Sequence, residues 1–412
     1  MCLIKMELMD QDIVTLPDIE AAAKRLKDVA HLTPLMGSRT FSQMAGEEVL
    51  LKLENQQRTG SFKLRGAANC IQMLSEEQKA HGVIAASAGN HAQGVALGAA
   101  AAGIKATIVM PEGAPLAKIE ATKSYGAQVV LKGTVFDDSY AEAVRLQQET
   151  GATFVHPYDD PKVIAGQGTI GLEILAQCPE VKSIVVPAGG GGLLAGIAVA
   201  VKSKAPQVKV YGVQASGAPA LYLAEHAGRW EETPEAMTIA DGIAVKKPGH
   251  NTFKLIQKYV DDIFVVKDAD IAATILLMLE RAKLVAEGAG AIPLAAILTG
   301  VVPHAAKTVA LVSGGNIDVN MISRIIENGL VKSGRRMRLR TYLADRPGEL
   351  LRLLQIFAVQ KANILFINHV RADHNIDIGQ TRVEIDLETR NQAHAEVIVG
   401  EMRRAGYQVE LR

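Results

Sequence analysis

Cysteine is scarce: Cys2, Cys70 and Cys178 are the three in 412 residues, odd in number and far apart. They supply neither a disulfide framework nor a metal-ligand spacing, and they fit a reducing, cytoplasmic setting. Net charge is missing too, because 44 basic side chains balance 44 acidic ones. Without a global field there is nothing to hold nucleic acid or an anionic membrane, and small-molecule partners are favoured. No apolar run approaches the roughly 18 to 20 residues that a bilayer span needs. The opening MCLIKMELMDQD meets acid early and has no small-residue cleavage pattern, so it reads as a poor secretory signal. Internal repeats of about 20 to 50 residues and low-complexity tracts are also lacking.

What is present is length and alternation. A chain of 412 residues exceeds the size at which one core keeps growing, which predicts two or three domains. The β-branched runs VLLKLEN, GVIAAS, KATIVMP, AQVVLK, KSIVVPA, KVYGVQA and KTVALVS alternate with alanine-rich helical stretches. Continuous apolar strands of this kind, each followed by a helix, predict α/β architecture with parallel sheets covered on both faces. Ligands of such sheets collect beyond the carboxyl ends of the strands. The pattern changes near VKSGRRMRLRTYLADRPGEL, where alternating strands and two helical stretches follow in the order βαββαβ, a ferredoxin-like arrangement. The expected division is a catalytic part over 1–331 with a smaller subdomain inserted at about 48–154, a linker at 332–336 and a small domain over 337–412.

The segment GSFKLRGA places Lys63 after Phe62 at the start of a helical pattern. A lysine there reads as a solvated surface cation or as an imine former, the second requiring a pKa lowered by an apolar neighbour such as Phe62 or a cationic one such as Arg65. Other strand ends bear on the choice. SAGNHAQG, Ser87 to Gly94, exposes backbone N–H groups at a helix start that suit a carboxylate or phosphate, and Asn90 adds an amide donor. PAGGGGLLAGI carries the consecutive glycines Gly189 to Gly192, whose backbone can approach a phosphate closely. No Walker lysine follows and the dinucleotide fingerprint is imperfect, which argues against nucleoside-triphosphate and NAD readings. ALVSGGNID ends a further strand on Ser313, a neutral hydroxyl suited to a ring nitrogen. Each of these also reads as a plain capped turn. Together they fit one molecule, an aldehyde bearing a phosphate and a pyridine ring: pyridoxal 5'-phosphate.

GSFKLRGA, SAGNHAQG, GGGGL and VSGGN, in that order, resemble the fold-type II pyridoxal-phosphate enzymes, and among them the threonine ammonia-lyases. The resemblance covers nearly all of 15–330. It implies Lys63 as Schiff-base lysine and general base, Phe62 packed near the ring, and Asn90 at the ring hydroxyl oxygen. It further implies Gly189, Gly190, Gly191, Gly192 and Leu193 around the phosphate, Ser313 at the pyridine nitrogen, and Ser87, Ala88, Gly89, Asn90 and His91 at the substrate carboxylate. The implied reaction is deamination of L-threonine to 2-oxobutanoate and ammonia, and of L-serine to pyruvate. Serine dehydratases, serine racemases and a non-catalytic amino-acid sensor are the alternatives. Relatives that racemise serine carry a serine where this chain has Ala88, so racemisation is disfavoured. Relatives with a cation site place a glutamate where this chain has Gln214; a divalent ion is not expected, and a monovalent ion or none is. GAGA at Gly288 to Ala291 and IADGIAV at Ile239 to Val245 resemble segments near the site, although tight packing explains their small residues equally well. The C-terminal portion resembles an ACT-type regulatory domain, which implies isoleucine or valine as effector at Asp345, Gly348, Glu349 and Leu350. A homo-oligomer, dimer or tetramer, is the implied assembly.

Overall fold

The computed structural model describes residues 12–371 and 376–412, so Cys2 and the expectation drawn from the N-terminal segment lie outside the described residues. The chain divides into two compact units, Met1–Ile317 and Asp318–Arg412. In the first unit the strands are β1 (Leu35–Gly37), β2 (Glu48–Leu53), β3 (Val83–Ala86), β4 (Ala106–Met110), β5 (Gln128–Leu131), β6 (Thr153–Phe154), β7 (Ser183–Pro187), β8 (Lys209–Ala215), β9 (Asp262–Val266) and β10 (Lys307–Val312). They form two sheets, of order β1-β2-β10-β7-β8-β9 and β5-β4-β3-β6. All neighbours run parallel except β1, which lies antiparallel on β2 at the edge of the larger sheet.

The predicted runs become β2, β3, β4, β5, β7, β8 and β10. β2 pairs with β10 throughout its length, so it belongs to the larger sheet and the inserted subdomain starts after it rather than at about residue 48. Val49, Leu51 and Leu53 alternate onto one buried face, and on the other Lys52 is buried in an ion pair with Glu173, so the strand suits an interior position in the sheet.

The larger core packs helices Pro161–Gln177 and Gly192–Lys204 against each other and on this sheet, through Ile164, Ile170, Ile174, Leu194, Ile197 and Val201. Their contact is close because glycines meet. A Cβ on Gly196 would stand 2.7 Å from the backbone nitrogen of Gly168 and closer still to the carbonyl oxygen of Ile164. The smaller core surrounds β3 and β4 with Val95, Ala96, Ala99, Ile108 and Met110.

The second unit carries β11 (Arg336–Ala344), helix Glu349–Val359, β12 (Asn363–Val370), β13 (Gln380–Glu388), helix Gln392–Arg404 and β14 (Glu410–Leu411), the expected βαββαβ order. Its antiparallel sheet is ordered β12-β13-β11-β14. Leu339, Leu343, Val383, Ile385 and Leu387 alternate inward to meet Leu353, Phe357, Ile398 and Met402 of the helices. Its start at Asp318 precedes the expected boundary at 331, since helix Val319–Lys332 packs on β11, with Glu327 reaching Arg336 at 4.0 Å. That helix and the start of β11 leave only 333–335 of the expected linker 332–336 outside regular structure.

Gly196→Ala should destabilise the protein by about 1–3 kcal/mol, because the added methyl meets backbone that cannot give way. Chemical denaturation of both proteins measures the difference.

Candidate active site

The carboxyl ends of β10 and β7, the start of the Lys63 helix and the start of the Asn90 helix converge in the first unit. Lys63 opens the helix Lys63–Gln72 behind an N-cap residue, Phe62, whose backbone N–H donates to the carbonyl of Ser313 at 3.1 Å. Ser61 and Gly314 form an isolated bridge beside it. The end of β10 and the start of the Lys63 helix are thus joined through backbone. Gly94 of helix Asn90–Ala101 packs on the other side, where a Cβ would stand 2.9 Å from the carbonyl carbon of Lys63.

Lys63 Nζ donates to the carbonyl oxygen of Pro157 at 2.8 Å and lies 5.3 Å from the centroid of the Phe62 ring. Burial pushes the ammonium down to about 8, against a nearby Glu287 charge that favours the protonated form. At pH 7 this leaves about a tenth of the amine neutral, against well under a thousandth at its ordinary value. Phe62 is therefore the dry neighbour expected. Arg65 is not the cationic one. It is buried in an ion cluster, donating to Glu54 at 2.8 and 2.9 Å and to Glu173 at 2.6 and 3.0 Å. Lys52 joins Glu173 at 2.5 Å and the Thr33 carbonyl at 2.8 Å. Positions two apart on a helix point to nearly opposite sides, so Arg65 braces the Lys63 helix from behind.

Gly191 caps the helix Gly192–Lys204 in the left-handed region at φ 97°, which glycine alone adopts cheaply. The first N–H groups of a helix have no carbonyl within it to meet, and here they follow a run without side chains. The cup is tightly bounded: a Cβ on Gly190 would sit 2.5 Å from the Tyr158 ring and one on Gly192 2.6 Å from the Tyr158 carbonyl. Thr252 Oγ1 donates to the Gly190 carbonyl at 2.7 Å. Leu193 is buried beneath.

Ser313 is 1% exposed and its Oγ has no hydrogen-bond partner. A buried hydroxyl left alone costs free energy unless a ligand satisfies it. It is what a ring nitrogen would meet, and with the glycine cup and the low-pKa lysine it makes this residue set fit pyridoxal 5'-phosphate.

Ser87, Ala88, Gly89 and Asn90 are half-buried between β3 and their helix. Ser87 Oγ accepts from Gly89 N at 3.2 Å, and the space where a Gly89 Cβ would stand is open. His91 turns inward instead, its Nε2 2.8 Å from the Val155 carbonyl oxygen, and burial followed by the Lys63 charge pushes its pKa down to about 3. Its imidazole is neutral, and what His91 offers a carboxylate is its backbone N–H. Asn90 donates through Nδ2 to Glu287 Oε1 at 2.7 Å and accepts at Oδ1 from Asn316 Nδ2 at 2.7 Å.

Sequence reasoning missed Glu287, Asn316 and the loop from Val155 to Asp160. That loop gives the Pro157 carbonyl to Lys63, the Tyr158 ring to the cup, and the Asp159 carboxylate to the N–H groups of His250, Asn251 and Thr252. Burial, then Asp159, pushes the Tyr158 phenol up to about 12, so it stays a donor, to the Lys247 carbonyl at 3.2 Å. GAGA and IADGIAV do pack tightly: a Cβ on Gly288 would stand 2.6 Å from Ala240 Cα.

Gln214 donates to the Ala188 carbonyl at 3.0 Å and accepts from Tyr222 N at 2.8 Å, so both ends of its amide are spent on protein. Among the described residues no group of three or more His, Cys, Asp or Glu side chains is placed to hold a metal. Among the described residues no helix is long and apolar enough to cross a membrane. Cys70 and Cys178 are free and buried, and burial pushes the Cys70 thiol up to about 12.

In the second unit, considered alone, Gly348 has φ 92° and precedes the helix begun by Glu349. Glu349 and Arg352 pair at 3.0 Å and, with Tyr342, Ile356 and Tyr407, line a cleft of about 400 Å³. Of the expected effector residues only Glu349 lines it. Asp345 pairs with Arg371 at 3.4 Å, and Leu350 is half-buried against the core.

Residues 26–314 match the family described as "Pyridoxal-phosphate dependent enzyme". The chain is 52% identical to an L-threonine ammonia-lyase of Thermotoga maritima over 97% of its own length and all of that protein's. Among solved structures, the processed form of threonine deaminase isoform 2 from Solanum lycopersicum is 39% identical, with a TM-score of 0.73, covering 76% of this chain and 86% of that one. Maize serine racemase is 36% identical with a TM-score of 0.73, covering 78% and 99%.

In the apoprotein, labelling of Lys63 by an amine-reactive reagent should rise with pH to a midpoint near 8, read by peptide mass spectrometry; a midpoint at the ordinary lysine value contradicts the enclosed amine. Arg65→Met leaves Glu54 buried without its partner and should cost about 3–5 kcal/mol in denaturant titration.

Proposed function

The chain belongs to the pyridoxal-phosphate-dependent enzymes, and we propose that it is the lyase that deaminates L-threonine to 2-oxobutanoate and ammonia, with L-serine as a second substrate giving pyruvate. The observation that carries this reading is the amine of Lys63, withdrawn from water with a neutral carbonyl as its hydrogen-bond partner.

The helix start at Gly191 to Leu193 would hold the cofactor phosphate through backbone N–H groups, and the Ser313 hydroxyl would meet the ring nitrogen. Bound there, the cofactor supplies an aldehyde for imine formation and an electron-withdrawing ring that acidifies the substrate Cα. Lys63 would be the residue that holds that aldehyde, and its amine, withdrawn from water, would act as a base near its working pH and take the substrate Cα proton. The N–H groups from Ser87 to His91 hold the substrate carboxylate, and Asn90 meets the ring oxygen. Ser313 would meet the ring nitrogen with a neutral hydroxyl that does not drive it into its protonated form, which would keep the electron sink weak. Ala88 carries no hydroxyl, so no proton donor stands at that position for racemisation.

The finer parts of the reading concern regulation and assembly. The second unit binds an amino-acid effector, isoleucine or valine, and the subunits associate as a homo-oligomer in the cytoplasm. Leu365, Phe366 and Ile367, exposed on β12, support an association surface.

Purified holoenzyme should release 2-oxo acid from L-threonine, measured as its hydrazone. Lys63→Ala should lose the imine absorption band and at least about 10³-fold in rate, the scale of removing a general base together with the covalent step. Ser313→Ala should keep the fold and weaken cofactor affinity by about tenfold, the scale of one hydrogen bond.

A further inference from the structure

Glu287 is the N-cap residue of helix Gly288–Leu298 and is 3% exposed. Its backbone N–H donates to the Gly314 carbonyl at 3.1 Å, just beyond Ser313. Two glycines wall its carboxyl: a Cβ on Gly314 would stand 2.9 Å from Cδ, and one on Gly242 3.4 Å from Oε1. The carboxyl has little room to swing away.

The donors and acceptors around it are fixed. Asn316 Nδ2 donates to the Thr59 carbonyl at 2.8 Å and to Asn90 Oδ1 at 2.7 Å. A backbone carbonyl only accepts, so the nitrogen of Asn316 must face Thr59, and both its hydrogens are then used. Asn90 is left to present its oxygen to Asn316 and its nitrogen to Glu287 Oε1 at 2.7 Å. One hydrogen of Asn90 Nδ2 is spent there, which leaves the other for a ligand.

We infer that Glu287 is a positioning residue for the reaction: Asn316, oriented by the Thr59 carbonyl, donates to Asn90, Asn90 donates to Glu287, and Glu287 as the terminal acceptor holds the Asn90 amide in place against the cofactor. This rests on the reading of Asn90 proposed above. A carboxyl can accept in either protonation state, but the carboxylate accepts more strongly. Three charged groups bear on it: Asp241 from the turn Asp241–Ile243, Lys118 from helix Leu116–Ser124, and Lys63 from its own helix. Burial first, then Asp241, pushes the Glu287 carboxyl up to about 7, against the Asn90 hydrogen bond and the two lysines. The sign follows: below about 7 the group is a neutral acid, and above it is a carboxylate that tightens its hold on Asn90 and favours protonated Lys63. Glu287 therefore makes the cofactor's environment change with pH in the neutral range.

The test compares wild type, Glu287→Gln and Glu287→Ala as reconstituted holoenzymes. The readouts are pyridoxal 5'-phosphate affinity and the pH dependence of the bound cofactor's visible absorption. Wild type should show an inflection near pH 7. Glu287→Gln, which keeps an acceptor of the same shape, should hold the cofactor within about threefold and lack the inflection; Glu287→Ala should bind about 10- to 100-fold more weakly, the scale of a hydrogen bond to a charged group. A Gln variant that keeps the inflection, a Gln variant that loses as much affinity as Ala, or an Ala variant that binds like wild type overturns the inference. Lys63→Ala is measured alongside: if it keeps the wild-type band, the proposed reading fails and carries the inference with it, whereas loss of the band with an unchanged Gln profile sinks the inference alone.

Discussion

Withdrawal of one amine from water sets the terms for the catalytic unit. Lys63 has a carbonyl rather than a carboxylate as its hydrogen-bond partner, so burial is opposed only by the more distant charge of Glu287. A carboxylate in contact would restore the ammonium and remove the nucleophile. Surrounding structure serves this condition. The ion cluster of Arg65, Glu54, Glu173 and Lys52 lies on the opposite side of the same helix, where it anchors the backbone without charging the site. Breaking such a cluster is expensive, although forming it adds little net stability. Its value here is placement.

Other groups share this economy of buried polarity. Ser313 is left without a partner, and burial and Asp241 hold Glu287 near the midpoint of its titration at neutral pH. In an ordinary core both would be replaced by apolar residues. Groups held rigidly and aimed before the ligand arrives do not have to reorganise during reaction. The backbone provides the rest: the Phe62–Ser313 hydrogen bond ties the reactive helix to β10, and Gly94, Gly191 and Gly314 permit approaches that any side chain would block.

Much of this was legible because it resides in local chemistry. Apolar runs of the right length became strands, and glycine runs at strand ends became helix starts. Alternation in RMRLRTYLA and QTRVEIDLE became the inward and outward faces of β11 and β13. Two-residue β6 and the edge strand β1 carry too little pattern to be read this way. Arg65 was misassigned because its proximity in sequence to Lys63 said nothing of where its guanidinium would find carboxylates; Glu54 lies near in sequence and Glu173 does not. The direction of the His91 ring was not legible for a similar reason, since it finds the Val155 carbonyl rather than the opening at Gly89.

By itself the sequence determined which residues are candidates for the site, because an amine, a glycine run and a hydroxyl at strand ends are properties of residue type and local conformation. Only the tertiary structure decided what each of them meets. Pro157, Glu287 and Asn316 come from segments about 94, 197 and 226 positions away from the residues they hold, and no local propensity encodes contacts of that separation. Burial is likewise a property of the folded whole. The amine of Lys63 is unusual only because distant segments close over it and exclude water.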